Sequence, residues 1–218
     1  LIKADLHVHT LYSGDSSNSL DGIIGQCIKH GINCVNICDH NTTEGAWKLK
    51  AMAPFEVIVS EEIETPEGEI MGLFLTETIP AGLSPEDTIK QIRNQEGLVC
   101  IPHPFEIIRS SAMKANTLER IKHLVDIIEV RNAKTWLVQD INRPLRFARD
   151  HNLYMSAGSD AHTLIEIGNF YVEMPGFSGP GEFLSSLEQG IISGKGTSLP
   201  THCYSLGYRT LKKLGLRK

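Results

Sequence analysis

The sequence predicts an α/β barrel, closed or nearly closed, around a mostly parallel sheet. Three observations predict it. Short apolar runs rich in β-branched residues recur along the chain, giving about seven strand candidates. A helical stretch follows most of them, the alternation that covers a parallel sheet with helices. Nearly every run ends in polar, titratable residues, and barrels of this kind gather their functional groups at the C-terminal strand ends.

The first run is "LIKADLHVHT", which places Asp5, His7 and His9 on alternate residues and therefore on one strand face. Either this is a solvated strand end with incidental histidines or it is the first half of a metal site. Residues 17–30 follow as a helix, with Ser16 or Ser17 as N-cap, Ile23, Ile24, Cys27 and Ile28 as apolar positions, and Gly31 as the stop. "NCVNICDHN" (33–41) ends at Asp39 and His40, and "FEVIVSEE" (55–62) ends at Glu61 and Glu62. "EGEIMGLFL" (67–75) departs from the rule. Only "ETPEG" precedes it, and Pro66 and Gly68 are turn formers, so the link is a hairpin and the strand runs backwards. Glu62 and Glu69 then share a rim.

A helix over 85–96 has Ser84 as N-cap, Pro85 at its first position, Glu86 and Asp87 in its first turn and Gly97 beyond it. "GLVCIPHPF" (97–105) ends at His103. "VDIIEVRN" (125–132) ends in Glu129, Arg131 and Asn132. Leu137, Ile141, Leu145 and Ala148 predict a helix over 137–151, kinked at Pro144. "LYMSAGSDAH" (153–162) brings Asp160 and His162, "NFYVEMP" (169–175) is the last strand, and a helix over 182–189 stops at Gly190.

A chain of 218 residues suits one domain, placed at 1–200, with a basic tail at 201–218. The tail carries Arg209, Lys212, Lys213, Arg217 and Lys218 and no acid. Such a segment can meet phosphates, but a solvated terminal helix or frayed end is the simpler reading. The net charge of −5 argues against a general nucleic-acid binder. Five cysteines form an odd set with no C-x-x-C, and Cys34 and Cys38 stand too far apart along a strand for a disulfide. They read as reduced, buried thiols of a cytoplasmic protein. No apolar run is long enough to span a membrane, and no signal peptide is visible.

His7, His9, His40, His103 and His162 all fall at strand ends, joined by Asp15, Glu62, Glu69 and Asp160. These nine groups exceed the four that one zinc ion takes, so they suit two or three divalent ions. Imidazole and carboxylate without thiolate favour zinc, manganese or iron. Such clustered carboxylates repel one another unless cations stand among them. Asp5 and Asp39 are expected to orient imidazoles. Arg109 and Arg131 are candidates to clamp a phosphate. Tyr12, in the first loop, is a better candidate than Trp47 or Trp136 to stack on a base.

The residues resemble the PHP family, named for polymerase and histidinol phosphatase. "DLHVHT" (5–10) resembles its first motif, with "YSGDSS" (12–17) supplying the acid that follows. "CDHN" (38–41), "IPHPF" (101–105) and "GSDAH" (158–162) resemble the second, third and fourth, in family order. The resemblance implies an irregular (βα)7 TIM-like barrel with a trinuclear metal site at the C-terminal strand ends. It assigns His7, His9, Glu62 and Asp160 to one ion. Glu62 would bridge to a second ion with Glu69 and His103, and Asp15, His40 and His162 would hold a third. Many members carry histidine where Glu69 stands. Strand alternation lets only one of Glu61 and Glu62 face the site, and Ile63 fits the family pattern that selects Glu62.

The implied activity is hydrolysis of a phosphate ester by a metal-bridging hydroxide, with Arg109 or Arg131 on the phosphoryl oxygens and His162 or Asp160 as proton donor to the leaving oxygen. A small phosphorylated metabolite or nucleotide is the first substrate expectation. An exonuclease on short RNA or DNA, a noncatalytic metal-stabilised scaffold and a non-phosphate hydrolase are the alternatives.

Overall fold

The structure, a computed structural model, describes residues 1–107, 109–135 and 140–198. The basic tail, Trp136 and Leu137 lie outside them. The strands in chain order are β1 (Ile2–Val8), β2 (Cys34–His40), β3 (Glu56–Thr65), β4 (Gly68–Leu73), β5 (Leu98–Ile101), β6 (Ile127–Asn132), β7 (Tyr154–Gly158), β8 (Phe170–Met174) and β9 (Ile191–Gly194). The helices among the described residues are α1 (Leu20–His30), α2 (Glu44–Met52), α3 (Pro85–Asn94), α4 (Ala115–Ile121), α5 (Arg143–Asp150) and α6 (Pro180–Glu188).

All nine strands join one sheet in the order β7-β6-β5-β4-β3-β2-β1-β8-β9. The pairs β1–β2, β2–β3, β5–β6 and β6–β7 are parallel. β4 runs against both neighbours, as the two-residue link Pro66–Glu67 requires. The sheet curls until its first strand nears its seventh. The N-terminal half of β1 pairs with β8. Its C-terminal end instead meets the segment after β7, where His9 N–H donates to Ala161 O at 3.1 Å and Ala161 N–H to His7 O at 3.4 Å. A Cβ on Gly158 would stand 2.3 Å from His7 Cβ and 2.5 Å from His7 N. Only glycine lets the seam come this close. The result is a nearly closed, irregular TIM-like barrel whose open rim carries the strand C-termini.

Local chemistry explains where elements start. The N-cap of α1 is Ser19, whose side chain accepts the Gly22 N–H, rather than Ser16 or Ser17. Those two hydroxyls donate instead to backbone carbonyls, Ser16 to His9 O and Ser17 to His162 O. The α3 cap at Ser84 stands as expected. Pro144 does not kink a long helix. It sits in the first turn of α5, where a missing N–H leaves nothing unpaired. The sequence patterns did not predict α2, α4 or β9.

Candidate metal centre

The two imidazoles of β1 converge. His7 Nε2 and His9 Nε2 lie 3.1 Å apart, both fully buried. Glu62 Oε2 lies 3.6 Å from the first and 3.4 Å from the second, and Asp160 Oδ1 lies 3.7 and 3.5 Å away. Beside this group, His103 Nε2 approaches Glu62 Oε1 at 2.8 Å and Glu69 Oε2 at 3.5 Å. On the other flank, Asp15 Oδ2 lies 3.3 Å from His162 Nε2 and 3.7 Å from His40 Nε2. His40 Nδ1 faces inward, 3.3 Å from Glu62 and 3.6 Å from Glu69. All nine residues singled out as metal-ligand candidates therefore meet at one rim.

Strand geometry decides which neighbours join them. Glu62 pairs across the hairpin with Met71, and Glu64 with Glu69, so Glu62 and Glu69 are diagonal neighbours on one face. Glu61 points to the other face, where it accepts the Ile79 N–H at 2.8 Å. The register of β1 shifts between Asp5 and Val8, and an extra residue breaks strict alternation. Asp5 accordingly leaves the face of the two histidines. It accepts N–H groups of Ser159 at 2.9 Å and Gly168 at 2.8 Å and ties the seam rather than a ring. Asp39 likewise holds Thr10, through its N–H and its hydroxyl, both at 2.6 Å. The expectation that these two acids orient imidazoles is therefore corrected.

The group that does orient His7 is Glu129, whose Oε1 lies 3.0 Å from His7 Nδ1. Its Oε2 accepts the His103 N–H at 2.7 Å and the Asn132 amide at 3.0 Å. β6 shifts register between Glu129 and Arg131. The shift brings Asn132 inward to Glu129 and Asp160 and turns Arg131 aside. Arg131 spends its guanidinium on Val130 O, Ile141 O and the Asn142 side chain. It does not reach the cluster, which corrects its expected role. Arg109 does reach it, donating to Asp160 Oδ2 at 2.7 Å and to Glu106 at 3.0 Å. Lys134 is 5% exposed, with Nζ 2.7 Å from His162 Nδ1 and 3.6 Å from Asp160 Oδ1. Glu129 and Asn132 stood in the sequence as polar residues ending a strand. Nothing in the pattern marked Lys134.

The backbone is also strained here. His103 and Asp160 both hold positive φ, 30° and 52°, a conformation that costs non-glycine residues about 1–3 kcal/mol and clusters at functional sites.

Electrostatics show what the site tolerates. Burial opposes charge on Asp160, yet Lys134, Arg109 and His7 hold its carboxyl well below the usual range. Burial also opposes charge on Glu62, and His7 and His40 overcome it. Burial and the charge of Glu62 push Glu69 up. Burial lowers the His9 imidazole to about 4, so its ring is neutral and offers a lone pair. His9 Nδ1 lies 3.2 Å from Ser13 Oγ, which donates to Asp15 at 3.1 Å. The Nδ1 proton thus goes to Ser13, and the lone pair is the Nε2 one that faces His7.

This donor set fits divalent cations. Glu62 Oε2, Glu69 Oε2, Asp160 Oδ1 and His40 Nδ1 are buried without a hydrogen-bond partner, which a polar atom rarely is. Each points at the shared centre. Four ligands at about 2.0–2.2 Å from one tetrahedral ion stand about 3.3–3.6 Å apart, close to the 3.4 to 3.7 Å between the imidazole nitrogens and the carboxylates. His9, His40 and His162, then His7, Glu62 and His103, then His40, Glu62 and Glu69 each form a triad able to hold an ion.

A barrel with a histidine and carboxylate centre at its strand ends defines the class, and comparison with known proteins gives the family. Residues 5–80 match the model of the PHP domain, and residues 141–191 match the model of the PHP-associated region. The uncharacterized protein MJ0417 of Methanocaldococcus jannaschii is 37% identical over 197 residues, covering 86% of this chain and 79% of its own. The chain belongs to the PHP family. Among solved structures, a two-domain protein of Bacteroides vulgatus containing a predicted PHP-like metal-dependent phosphoesterase superposes with a TM-score of 0.70 at 15% identity. The match covers 89% of this chain but only 65% of that one. PsfC of Pseudomonas syringae superposes with a TM-score of 0.70 at 16% identity, covering 96% of this chain and 98% of its own. These two likenesses show the barrel fold.

Proposed function

We propose that the protein is a metal-dependent phosphoesterase acting on a small phosphorylated substrate. One observation carries the reading: two imidazole nitrogens 3.1 Å apart, met by unpartnered oxygens of Glu62 and Asp160. His7, His9, Glu62 and Asp160 would hold one ion, Glu62, Glu69 and His103 a second, and Asp15, His40 and His162 a third. When bound, divalent ions such as zinc, manganese or iron supply Lewis acidity toward a phosphoryl oxygen and a water acidic enough to attack phosphorus near neutral pH.

The chain's own residues supply the rest. Glu129 fixes the His7 ring and, through the His103 N–H, the "IPHPF" turn. Lys134 and Arg109 set positive charge beside Asp160, a field that favours an anionic substrate. His162 and Asp160 are the two candidates to protonate the leaving oxygen in this reading, and Lys134, Arg109 and His7 favour the charged form of the Asp160 carboxyl. Four buried cysteines with free thiols support a reducing compartment, the cytoplasm. No helix among the described residues is long and apolar enough to cross a membrane.

The test is metal analysis of the purified protein, followed by a screen of phosphomonoesters, cyclic phosphates and short oligonucleotides with added manganese or zinc. Metal-dependent release of phosphate that His7→Ala abolishes is the expected result. Turnover of oligonucleotides alone would replace the small substrate by a nucleic acid. A protein that binds no metal, or a His7→Ala variant with full activity, would refute the proposal.

A further inference from the structure

The Ser13 hydroxyl stands between candidate ligands of different ions. Its Oγ lies 3.2 Å from His9 Nδ1, donates to Asp15 Oδ1 at 3.1 Å and accepts the His40 N–H at 3.3 Å. A serine hydroxyl has one proton and two lone pairs. The proton goes to Asp15, so His9 Nδ1 must donate, and the two lone pairs are then both used. The whole hydrogen-bonding capacity of this group is spent on three candidate ligands, from β1, from the loop after it and from the end of β2. His9 belongs to the set of the first ion, Asp15 and His40 to that of the third.

The turn that carries this hydroxyl, Leu11–Ser13, is itself pinned. Thr10 opens it. The Thr10 hydroxyl accepts the Tyr12 N–H at 3.1 Å, and its carbonyl accepts the Ser13 N–H at 3.1 Å. Asp39 in turn grips Thr10 through its N–H and its hydroxyl, both at 2.6 Å. Asp39 directly precedes His40, so the bonds run from β2 through Thr10 to Ser13 and back to the His40 N–H as a closed ring. Gly14 ends the turn at a φ of 78°, a conformation that glycine adopts without strain. With Oδ1 held by Ser13, Asp15 presents Oδ2 to His162 and His40. With Nδ1 held by Ser13, His9 presents Nε2 to the shared centre, 3.1 Å from His7 Nε2. One oxygen atom thus sets which atoms of two ligands face the ions.

We propose that Ser13 is a positioning residue that sets the ligand atoms of the first and third ion sites together, so that neither site is complete without its hydroxyl. The inference rests on the metal centre of the phosphoesterase reading and not on its substrate. The hydroxyl bonds to neither Glu62, Glu69 nor His103, so the second site stands apart from it. Groups that orient ligands in this way contribute about 10–100-fold to metal affinity.

The test loads the full chain with cobalt(II) at free concentrations set by a chelating buffer. It reads the ions bound per chain and the visible absorption of the bound cobalt, which reports ligand geometry. Ser13→Ala is expected to weaken the ions of the first and third sites by about 10–100-fold and to leave the ion of the second site near its wild-type affinity. Ser13→Thr, which keeps the hydroxyl, should restore the wild-type occupancy and spectrum. Leu11→Ala is the control for the turn, because Leu11 is an apolar side chain on the same turn and is 42% exposed. Wild-type occupancy and spectrum in Ser13→Ala overturn the inference and leave the phosphoesterase reading intact. Equal weakening at every site, or the same loss in Leu11→Ala, overturns it by assigning the effect to the turn as a whole. The expected cobalt pattern with no phosphate ester hydrolysed supports the role of Ser13 and refutes the phosphoesterase reading. A wild-type chain that takes up no ion overturns both.

Discussion

Glu129 Oε1 lies 3.0 Å from His7 Nδ1, and its other oxygen accepts the backbone N–H of His103 at 2.7 Å. One carboxylate on β6 thus fixes candidate ligands from β1 and from the turn after β5. A carboxylate behind an imidazole sets the tautomer and raises the basicity of the nitrogen that faces the metal. Glu129→Gln should lower metal affinity by about 10–100-fold while leaving the fold intact. Competition with a chromophoric chelator, alongside circular dichroism, checks this. Unchanged affinity would show that Glu129 serves the turn alone.

Cations at the centre should also stabilise the fold. Buried Glu62, Glu69 and Asp160 crowd one space with partnerless oxygens. Manganese or zinc at about 100 times its Kd should add about 2.7 kcal/mol of stability, read as a rise in Tm that chelation reverses. His7→Ala should remove most of that rise. An equal rise in the variant would place the stabilising ion elsewhere.

Closure of the barrel depends on a missing side chain. A methyl group on Gly158 would overlap His7, so Gly158→Ala should cost about 1–3 kcal/mol or more and weaken metal binding through displacement of β1. Gly25, exposed on α1 with no heavy atom within 4 Å of a built Cβ, is the control. Gly25→Ala should stabilise the protein by about 0.5–1 kcal/mol through helix propensity. Urea denaturation of the pair tests the contrast.

Arg109 bridges Asp160 and Glu106. Its removal leaves Asp160 with one cation fewer in a buried setting. Arg109→Met should therefore cost about 3 kcal/mol in the absence of metal. The loss should shrink when a divalent ion is added, because the ion takes over the neutralisation of Asp160. A cost independent of metal would assign Arg109 to loop structure.

The cysteines should be inert. Burial pushes the thiols of Cys27 and Cys38 up to about 12, and those of Cys34 and Cys100 higher still. Each folded-state pKa is raised, so the native state holds these protons more tightly than the unfolded chain. The resulting stability is complete below about 9 and is lost as pH rises toward about 12. At pH 8 a thiol reagent should label none of these four in the native protein and all four after denaturation, as followed by mass spectrometry of the peptides. Rapid native labelling of Cys38 would contradict the burial argument.

The candidate site was legible where chemistry and position coincide. His7, His9, His40, His103, Asp160 and His162 stood at the ends of apolar runs, and strand ends share a rim once the sheet curls. Alternation allows only one of Glu61 and Glu62 inside, and it was the resemblance of Ile63 to the family pattern that selected Glu62. Two of the three failed readings, Asp5 and Arg131, fall on irregular strands, whereas Asp39 lies on the regular β2 and spends its carboxylate on Thr10. The register shifts in β1 and β6 turned Asp5 and Arg131 away and brought Asn132 in. A shift of this kind arises from pairing with a neighbouring strand, which no single run of residues reveals.

By itself the sequence determined that this chain forms a barrel and that imidazoles and carboxylates gather at its mouth, because hydrophobic period and residue type are local properties. Tertiary structure alone decided which side chains stand behind the ligands. Glu129 and His7 are 122 positions apart, and Lys134 and His162 are 28 apart. Their meeting depends on the closure of β1 against β7 over Gly158, a long-range contact set by steric fit rather than by any pattern along the chain.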